Sequence, residues 1–288
     1  MRTAGIILVW LIVNATSIAP AIAEQQSNRE KTGLIGPVRT IIEKMSSVQD
    51  KCFLFSHTKT YDIQGKLAET EVAFPHPCEP DTEEFKGRTV YTYDEKGTSY
   101  GTNYKDGRVV STSAAMFDSN GRPTEYVTYN PQGSVQFRST HHYDDLGNTI
   151  ETIIYLIGGT EIYTRSLFTY QTDGNGKVQN VIGYSSDGSM KYKTRTRYDN
   201  KGHILEEVFS KVDPLIYERR TYLYNENGQE HEKVVYDLAG SILTREVSAY
   251  DYDFLGNWTK KTTQRLVTKD GHLVPESAAI VERVISYY

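Results

Sequence analysis

Tyr143-Asp144-Asp145-Leu146-Gly147-Asn148 opens on an aromatic ring, follows it with a carboxylate and closes on glycine. Each part suits a tight reversal. An Asp or Asn side chain folds onto its own backbone two residues on, and glycine takes the positive φ that closes the turn. The same order of parts returns at Tyr61 (YDIQG), Tyr93 (YDEKG), Tyr198 (YDNKG) and Tyr252 (YDFLGN). Aligned on the aromatic leader, Phe117, Tyr143, Tyr170, Tyr198, Tyr224 and Tyr252 follow one another at gaps of 26, 27, 28, 26 and 28 residues. Near-constant spacing of this kind marks a repeat array. A weaker turn falls between them, at Tyr129, Tyr155, Tyr184, Phe209 and Tyr236, so each unit reads turn, strand, turn, strand.

The intervening segments, such as NTIETIIY from Asn148 and RRTYLY from Arg219, are short and rich in Thr, Ile, Val and Tyr. That is strand composition, without the 3.6-residue period of a helix. A basic residue stands five places before the leader at Arg88, Arg138, Arg165, Lys193, Arg219 and Arg283. Alternate strand residues share a face, so Tyr91 with Tyr93, Phe168 with Tyr170, Tyr222 with Tyr224 and Tyr250 with Tyr252 each place two rings on one side. These rings are expected to form an aromatic ladder. Strands joined by short turns are antiparallel neighbours, and the chain has room for roughly 18 of them in one long meander. The expected fold is therefore all-β, an antiparallel meander that right-handed twist curls into a strip, a shell or a partial cocoon.

The composition agrees. Tyrosine occurs 22 times against 9 phenylalanines, and glycine also 22 times, in 288 residues. Thirty-two basic and 37 acidic residues leave a net charge of −5, without the basic excess that nucleic acid demands, so no nucleic-acid partner is expected. Arg2, the apolar run Ile6 to Val13 and Ala21-Ile22-Ala23 read as a secretory signal peptide over residues 1–23, with no transmembrane anchor left after cleavage. Residues 24–35 read as a flexible mature N-terminus. Residues 36–288 form the repeat domain, with an opening or capping part over about 36–90 and regular repeats over about 91–288. Localisation is expected to be secreted or periplasmic, where Cys52 and Cys78, 26 residues apart, are expected to pair as a disulfide that pins the opening segment over one sheet edge.

The turns and strands together, YDDLGN followed by RSLFTY from Arg165, resemble the YD repeat of Rhs and teneurin-like proteins, which wind a β-strip into a hollow cocoon. Residues Tyr252 to Lys261 and Arg283 to Tyr288 are similar to the closing repeat of small exported bacterial YD-repeat proteins of unknown function, and Gly36-Pro37-Val38-Arg39 to their opening strand. The resemblance covers roughly residues 36 to 288. It implies an architecture and no activity. Asp213-Pro214-Leu215 lacks the glycine expected after it in the self-cleaving core of large Rhs proteins, so no protease role carries over.

Candidate chemistry is sparse. Ser56-His57-Thr58-Lys59 fits S-x-x-K and Lys31-Thr32-Gly33 fits K-T-G, but in the reverse of the order that a penicillin-binding enzyme uses. His141-His142 stands beside Asp144 and Asp145, yet adjacent strand residues face opposite ways and cannot share one metal. Asp173-Gly174-Asn175-Gly176 and Asn225-Glu226-Asn227-Gly228 offer oxygen ligands for calcium without the glutamate of an EF-hand loop. Glu206-Glu207 and Glu83-Glu84 are paired carboxylates on opposite faces. No catalytic residue, cofactor or metal is therefore assigned. Candidate ligand-binding residues are Tyr222, Tyr224, Tyr250, Tyr252 and Trp258, whose rings offer flat apolar faces with a polar tip. Asn257-Trp258-Thr259 is a formal glycosylation sequon. The expected function is an exported non-enzymatic scaffold or binding protein of the envelope or extracellular space, with a glycan or an envelope protein as partner. The alternative is an envelope hydrolase acting on polysaccharide or peptidoglycan, which requires a cleft where acidic groups converge.

Overall fold

The computed structural model describes residues 28–48, 53–74, 85–95, 97–156, 158–173, 176–211 and 216–288. The signal segment, Cys52, Cys78, Glu83-Glu84 and Asp213-Pro214 lie outside them. A short helix, α1 (Asn28–Lys31), precedes the first strands, β1 (Val38–Ser47), β2 (Phe53–Tyr61), β3 (Leu67–Phe74), β4 (Phe85–Tyr93), β5 (Ser99–Lys105) and β6 (Arg108–Phe117). Next come β7 (Pro123–Tyr129), β8 (Val135–Tyr143), β9 (Thr149–Tyr155), β10 (Ile162–Asp173), β11 (Gly176–Ser185) and β12 (Met190–Tyr198). The last six are β13 (Ile204–Lys211), β14 (Ile216–Tyr224), β15 (Glu230–Tyr236), β16 (Ile242–Tyr252), β17 (Trp258–Lys269) and β18 (His272–Tyr287).

Every strand pairs antiparallel with its sequence neighbours, and β1 pairs with both β2 and β18. The meander is therefore a closed 18-stranded barrel, which corrects the expected open strip, shell or partial cocoon. The seam runs from Val38↔Tyr287 to Ser47↔Ala279. Its physical reason is edge satisfaction: strand twist brings the first and last strands round to each other, and their unpaired N–H and C=O groups are satisfied by joining. No described edge is left to cap, so the role foreseen for the opening segment falls away with the strip.

The recurring turn works as its composition demands. At Asp144 the backbone N–H donates to Asn148 O at 2.9 Å, Gly147 N–H returns to Asp144 O at 3.0 Å, and the carboxylate Oδ1 accepts Asn148 N–H at 2.7 Å. Gly147 sits at φ 83°, where a side chain is strained. The leading ring has a second task that needs tyrosine rather than phenylalanine. Tyr143 OH donates to Pro123 O (2.6 Å), Tyr170 OH to Thr149 O, Tyr224 OH to Ile204 O (both 2.9 Å) and Tyr93 OH to Leu67 O (2.8 Å). Each hydroxyl staples the end of one strand to the start of the strand before it.

Register assigns the two faces. Ser113, Thr128, Ser139, Ser166, Thr196 and Ser248 are buried and share the face of the tyrosine ladder, while Arg165, His142 and Leu223 on the other face stay more than half exposed. The ladder face is the inner one. It is not filled like an ordinary core: the buried apolar cluster is confined to Leu34, Val38, Ile41 and Tyr61, with Leu67, Ile285 and Tyr287 against it. A closed ring of this strand number leaves an aqueous lumen.

That cluster is covered by the segment between α1 and β1, which lies over the end of the barrel where the Y-D-x-x-G turns gather. Ile35 N–H donates to Asn257 Oδ1 at 2.8 Å, and Asn257 Nδ2 donates to Ile35 O and to Tyr287 OH, both at 2.9 Å. Asn257 is 3% exposed, so it is held as a structural clasp and the sequon it heads is not open to a glycan. Asn257→Leu strips Ile35 of both partners and is expected to cost on the order of 2 kcal/mol. Limited proteolysis should then cut first near Leu34 to Pro37, and unchanged resistance there would refute the clasp.

Candidate functional site

Outside, the basic residues of three repeats do the same job. Arg138 Nε donates to Glu125 Oε1 at 2.6 Å while its guanidinium lies 4.8 Å from the Tyr155 ring. Arg219 repeats this with Glu206 (3.6 Å) and Tyr236 (4.2 Å), and Arg88 with Glu69 (2.7 Å) and Tyr104 (5.7 Å). These Glu-Arg-Tyr sets hold neighbouring strands together across the outer wall. Each exposed pair contributes little alone, and an aromatic face adds a cation–π term of about 0.5–1 kcal/mol.

Arg283 departs from this pattern. It was aligned with Tyr288, but Tyr287 takes the leader's inner position, hydrogen-bonding Asp253 and Asn257, so Arg283 shares Tyr287's face and points inward. There it meets Glu43 across the seam, with Nε and Nη2 each 2.7 Å from Oε1. The guanidinium lies 3.3 Å from the centre of the Trp258 ring. Trp258 meets Tyr250 edge-on at 6.0 Å, Tyr250 lies 6.4 Å from Tyr252, and Lys261 Nζ stands 5.6 Å from the Tyr250 ring. His57, opposite Glu43 on β2, approaches it at 3.7 Å. Burial, helped by the Lys59 charge and only partly opposed by Glu43, lowers the His57 pKa to about 4, so the ring is neutral at ordinary pH. Burial likewise pushes Tyr250 up to about 12, with Glu230 adding to it.

Of the five candidate ligand residues, the structure brings three together: Tyr250, Tyr252 and Trp258. Tyr222 and Tyr224 lie two strands away on β14, where Tyr224 stacks on His203 at 4.6 Å. Most of the polar tips are already engaged, since Tyr224 and Tyr250 bond backbone carbonyls and Tyr252 OH donates to Gln229 Oε1 at 2.9 Å. The residues missed are Glu43, His57, Lys59, Lys261 and Arg283. A signal for Arg283 was available, because it stands four places before Tyr287 and so shares its parity.

The remaining candidates separate. Ser56 pairs with Lys44 on the outer face and Lys59 with Ile41 on the inner one, so S-x-x-K never converges. His141 reaches Thr152 Oγ1 (3.0 Å) inside while His142 reaches Glu151 Oε2 (2.7 Å) outside. The Asn225 Oδ1 offered to calcium accepts the N–H groups of Asn227 and Gln229 instead. Glu206 faces out towards Arg219 and Glu207 faces in, where it and Glu218 both close on Arg220. Inner carboxylates thus meet around a guanidinium, not around a space for a substrate and a water.

No protein-family model matches the chain, and no curated protein does. Among solved structures, the crystal structure of a porin-like protein from Bacteroides uniformis is similar with a TM-score of 0.51, at 13% identity over 88% of this chain and 98% of that one. A porin-like protein from Bacteroides vulgatus matches with a TM-score of 0.37 at 12% identity, over 85% of this chain and 97% of that one. The Photorhabdus luminescens Tc holotoxin pore matches with a TM-score of 0.19 at 13% identity, over 77% of this chain and 15% of that one. The first likeness concerns the fold. With the closed ring, it corrects the reading of the chain as a YD or Rhs strip serving as an exported scaffold or carbohydrate-binding protein, and the alternative of an envelope hydrolase. The ladder is wall lining whose hydroxyls are committed to the barrel, not an open platform.

Proposed function

We propose that this chain is an exported β-barrel of the cell envelope that moves small polar solutes, with the lumen as their path. The observation that carries the proposal is the closed 18-stranded ring without a continuous apolar filling. Its likeness in fold to the porin-like protein from Bacteroides uniformis supports the same reading. The inner wall is divided: β3 to β10 present hydroxyls, aromatic rings and His141, whereas β13 to β18 with β1 and β2 hold the ion pairs just described.

The outer wall supports an aqueous placement for such a barrel. Arg88, Arg138, Arg165, Arg219 and Arg245 all face outward from the strands, and each would cost about 2–4 kcal/mol at a bilayer midplane. A lipid-facing wall needs an apolar band, and these strands carry ionic sets in its place. On this reading the barrel works in water, in the periplasm or outside the cell. Its solutes are carried there rather than conducted through hydrocarbon.

Cysteine labelling tests the path. Thr194→Cys, on the inner face, should react with a small methanethiosulfonate but not with a polymer-bearing maleimide. Thr262→Cys, exposed on the outer face, should react with both. The same protein mixed with liposomes should stay at the bottom of a flotation gradient. An inner thiol deaf to the small reagent in folded protein would end the proposal, and flotation with the vesicles would overturn the aqueous placement.

A further inference from the structure

We infer that the solutes this lumen favours are small anions, which seat beside Trp258; the inference rests on the solute path proposed above. The charges facing that ring do not cancel. Arg283 is neutralised by Glu43 through two 2.7 Å contacts, and His57 beside them is uncharged. Three further charges are carried by strand residues of the inner face: Lys59, which pairs in register with Ile41 of the apolar cluster; Lys261, against Tyr250; and Glu230, whose carbonyl accepts the Tyr250 hydroxyl. The turn carboxylate Asp253 is already engaged by Tyr287 and by the Asn257 N–H, so on the strands two cations stand against one carboxylate.

Geometry sharpens the imbalance. Lys261 follows Trp258 by three residues on β17, and no carboxylate lies within 4 Å of its ammonium or of the Lys59 ammonium among the described residues. Each ammonium has three donors to offer and would find acceptors in an incoming anion. Opposite this sector, β3 to β10 supply serine and threonine hydroxyls, with Lys105 and Arg108 in the inner register at one hairpin end and no strand carboxylate on the inner face among the described residues, so nothing there competes for the lysines. The arrangement is a positive stretch of the inner wall beside an aromatic ring, where a low-dielectric surface strengthens the field.

Trp258 reports on its own surroundings. The sequence holds two tryptophans, Trp10 and Trp258, so the full chain carrying Trp10→Phe has a single fluorophore. Its quenching is to be measured at low ionic strength with acrylamide, iodide and caesium, each normalised to its action on free tryptophan amide. A potential of only about half a kT enriches a monovalent anion over a monovalent cation about threefold. Iodide should therefore quench at least about threefold more effectively than caesium, and added salt should erase the difference. Lys59→Gln combined with Lys261→Gln should remove the iodide preference and leave acrylamide quenching unchanged, with far-UV circular dichroism showing that the barrel is retained.

The outcomes separate the two claims. Ready quenching by acrylamide with no excess of iodide over caesium overturns the anion seat and leaves the solute path standing. Protection from all three quenchers overturns both. An iodide preference that survives loss of the two lysines overturns their assignment. The wild-type comparison decides the anion claim even where the double variant fails to fold.

Discussion

Arg283→Met is expected to destabilise the barrel by about 3–5 kcal/mol, the usual cost of removing one partner from a buried ion pair. Both side chains are well covered, at 16% and 17% exposure, so the carboxylate of Glu43 would be left in the wall beside an uncharged imidazole. Glu43→Gln should cost a comparable amount, because it strands a guanidinium that burial already disfavours. The double replacement of Arg283 by Met and Glu43 by Leu should recover most of the loss, since two apolar side chains leave no orphan charge. Urea titration of the four proteins gives the coupling directly.

The position of the pair adds a spatial expectation. Arg283 and Glu43 are 240 residues apart in sequence and face each other across the β1–β18 seam, the joint that turns a strip into a ring. Amide exchange in Arg283→Met should therefore quicken first in β1 and β18, while β7 to β12 stay protected. Uniform quickening, or a loss below about 1 kcal/mol, would show that the seam is held by its backbone ladder alone.

The second large effect is a dependence on pH that a single imidazole carries. The folded His57 pKa of about 4 lies below the ordinary value of 6.5, mainly because of burial and then because of Lys59. Between those values the unfolded chain binds a proton that the folded chain refuses, so stability falls as pH is lowered through this window. Above 6.5 the imidazole is neutral in both states, and below about 4 it is protonated in both, so its contribution is flat on either side. From pH 7 to pH 5 the loss amounts to about 2 kcal/mol. His57→Gln should flatten that segment of the stability profile and leave the fall below pH 4, where carboxylates such as Asp253 and Glu151 with lowered pKa protonate. Parallel profiles for the two proteins would remove His57 as the cause.

The repeat made the strands and their faces legible before any coordinates. Y-D-x-x-G specifies a reversal by local chemistry alone, and the parity of Tyr250 with Tyr252 specifies a shared face, so the meander, its antiparallel sense and a one-sided ladder followed, whereas which side lies inside did not. The outer basic residue was visible as a period, although its partners were not, because Glu125 and Tyr155 reach Arg138 from the strands on either side. The site beside Trp258 was only half legible. Its rings announced themselves, whereas Glu43, His57 and Arg283 come from opposite ends of the chain and meet nowhere except at the seam.

What the sequence determined by itself is thus the local geometry: where the chain turns and which residues share a side. Whether the ribbon ends in two bare edges or bites its own tail was decided by the tertiary structure. Twist accumulates over all 18 strands, and no single repeat encodes the sum. Closure in turn gave the sheet an inside and an outside, brought Arg283 to Glu43, and replaced an open strip by a barrel.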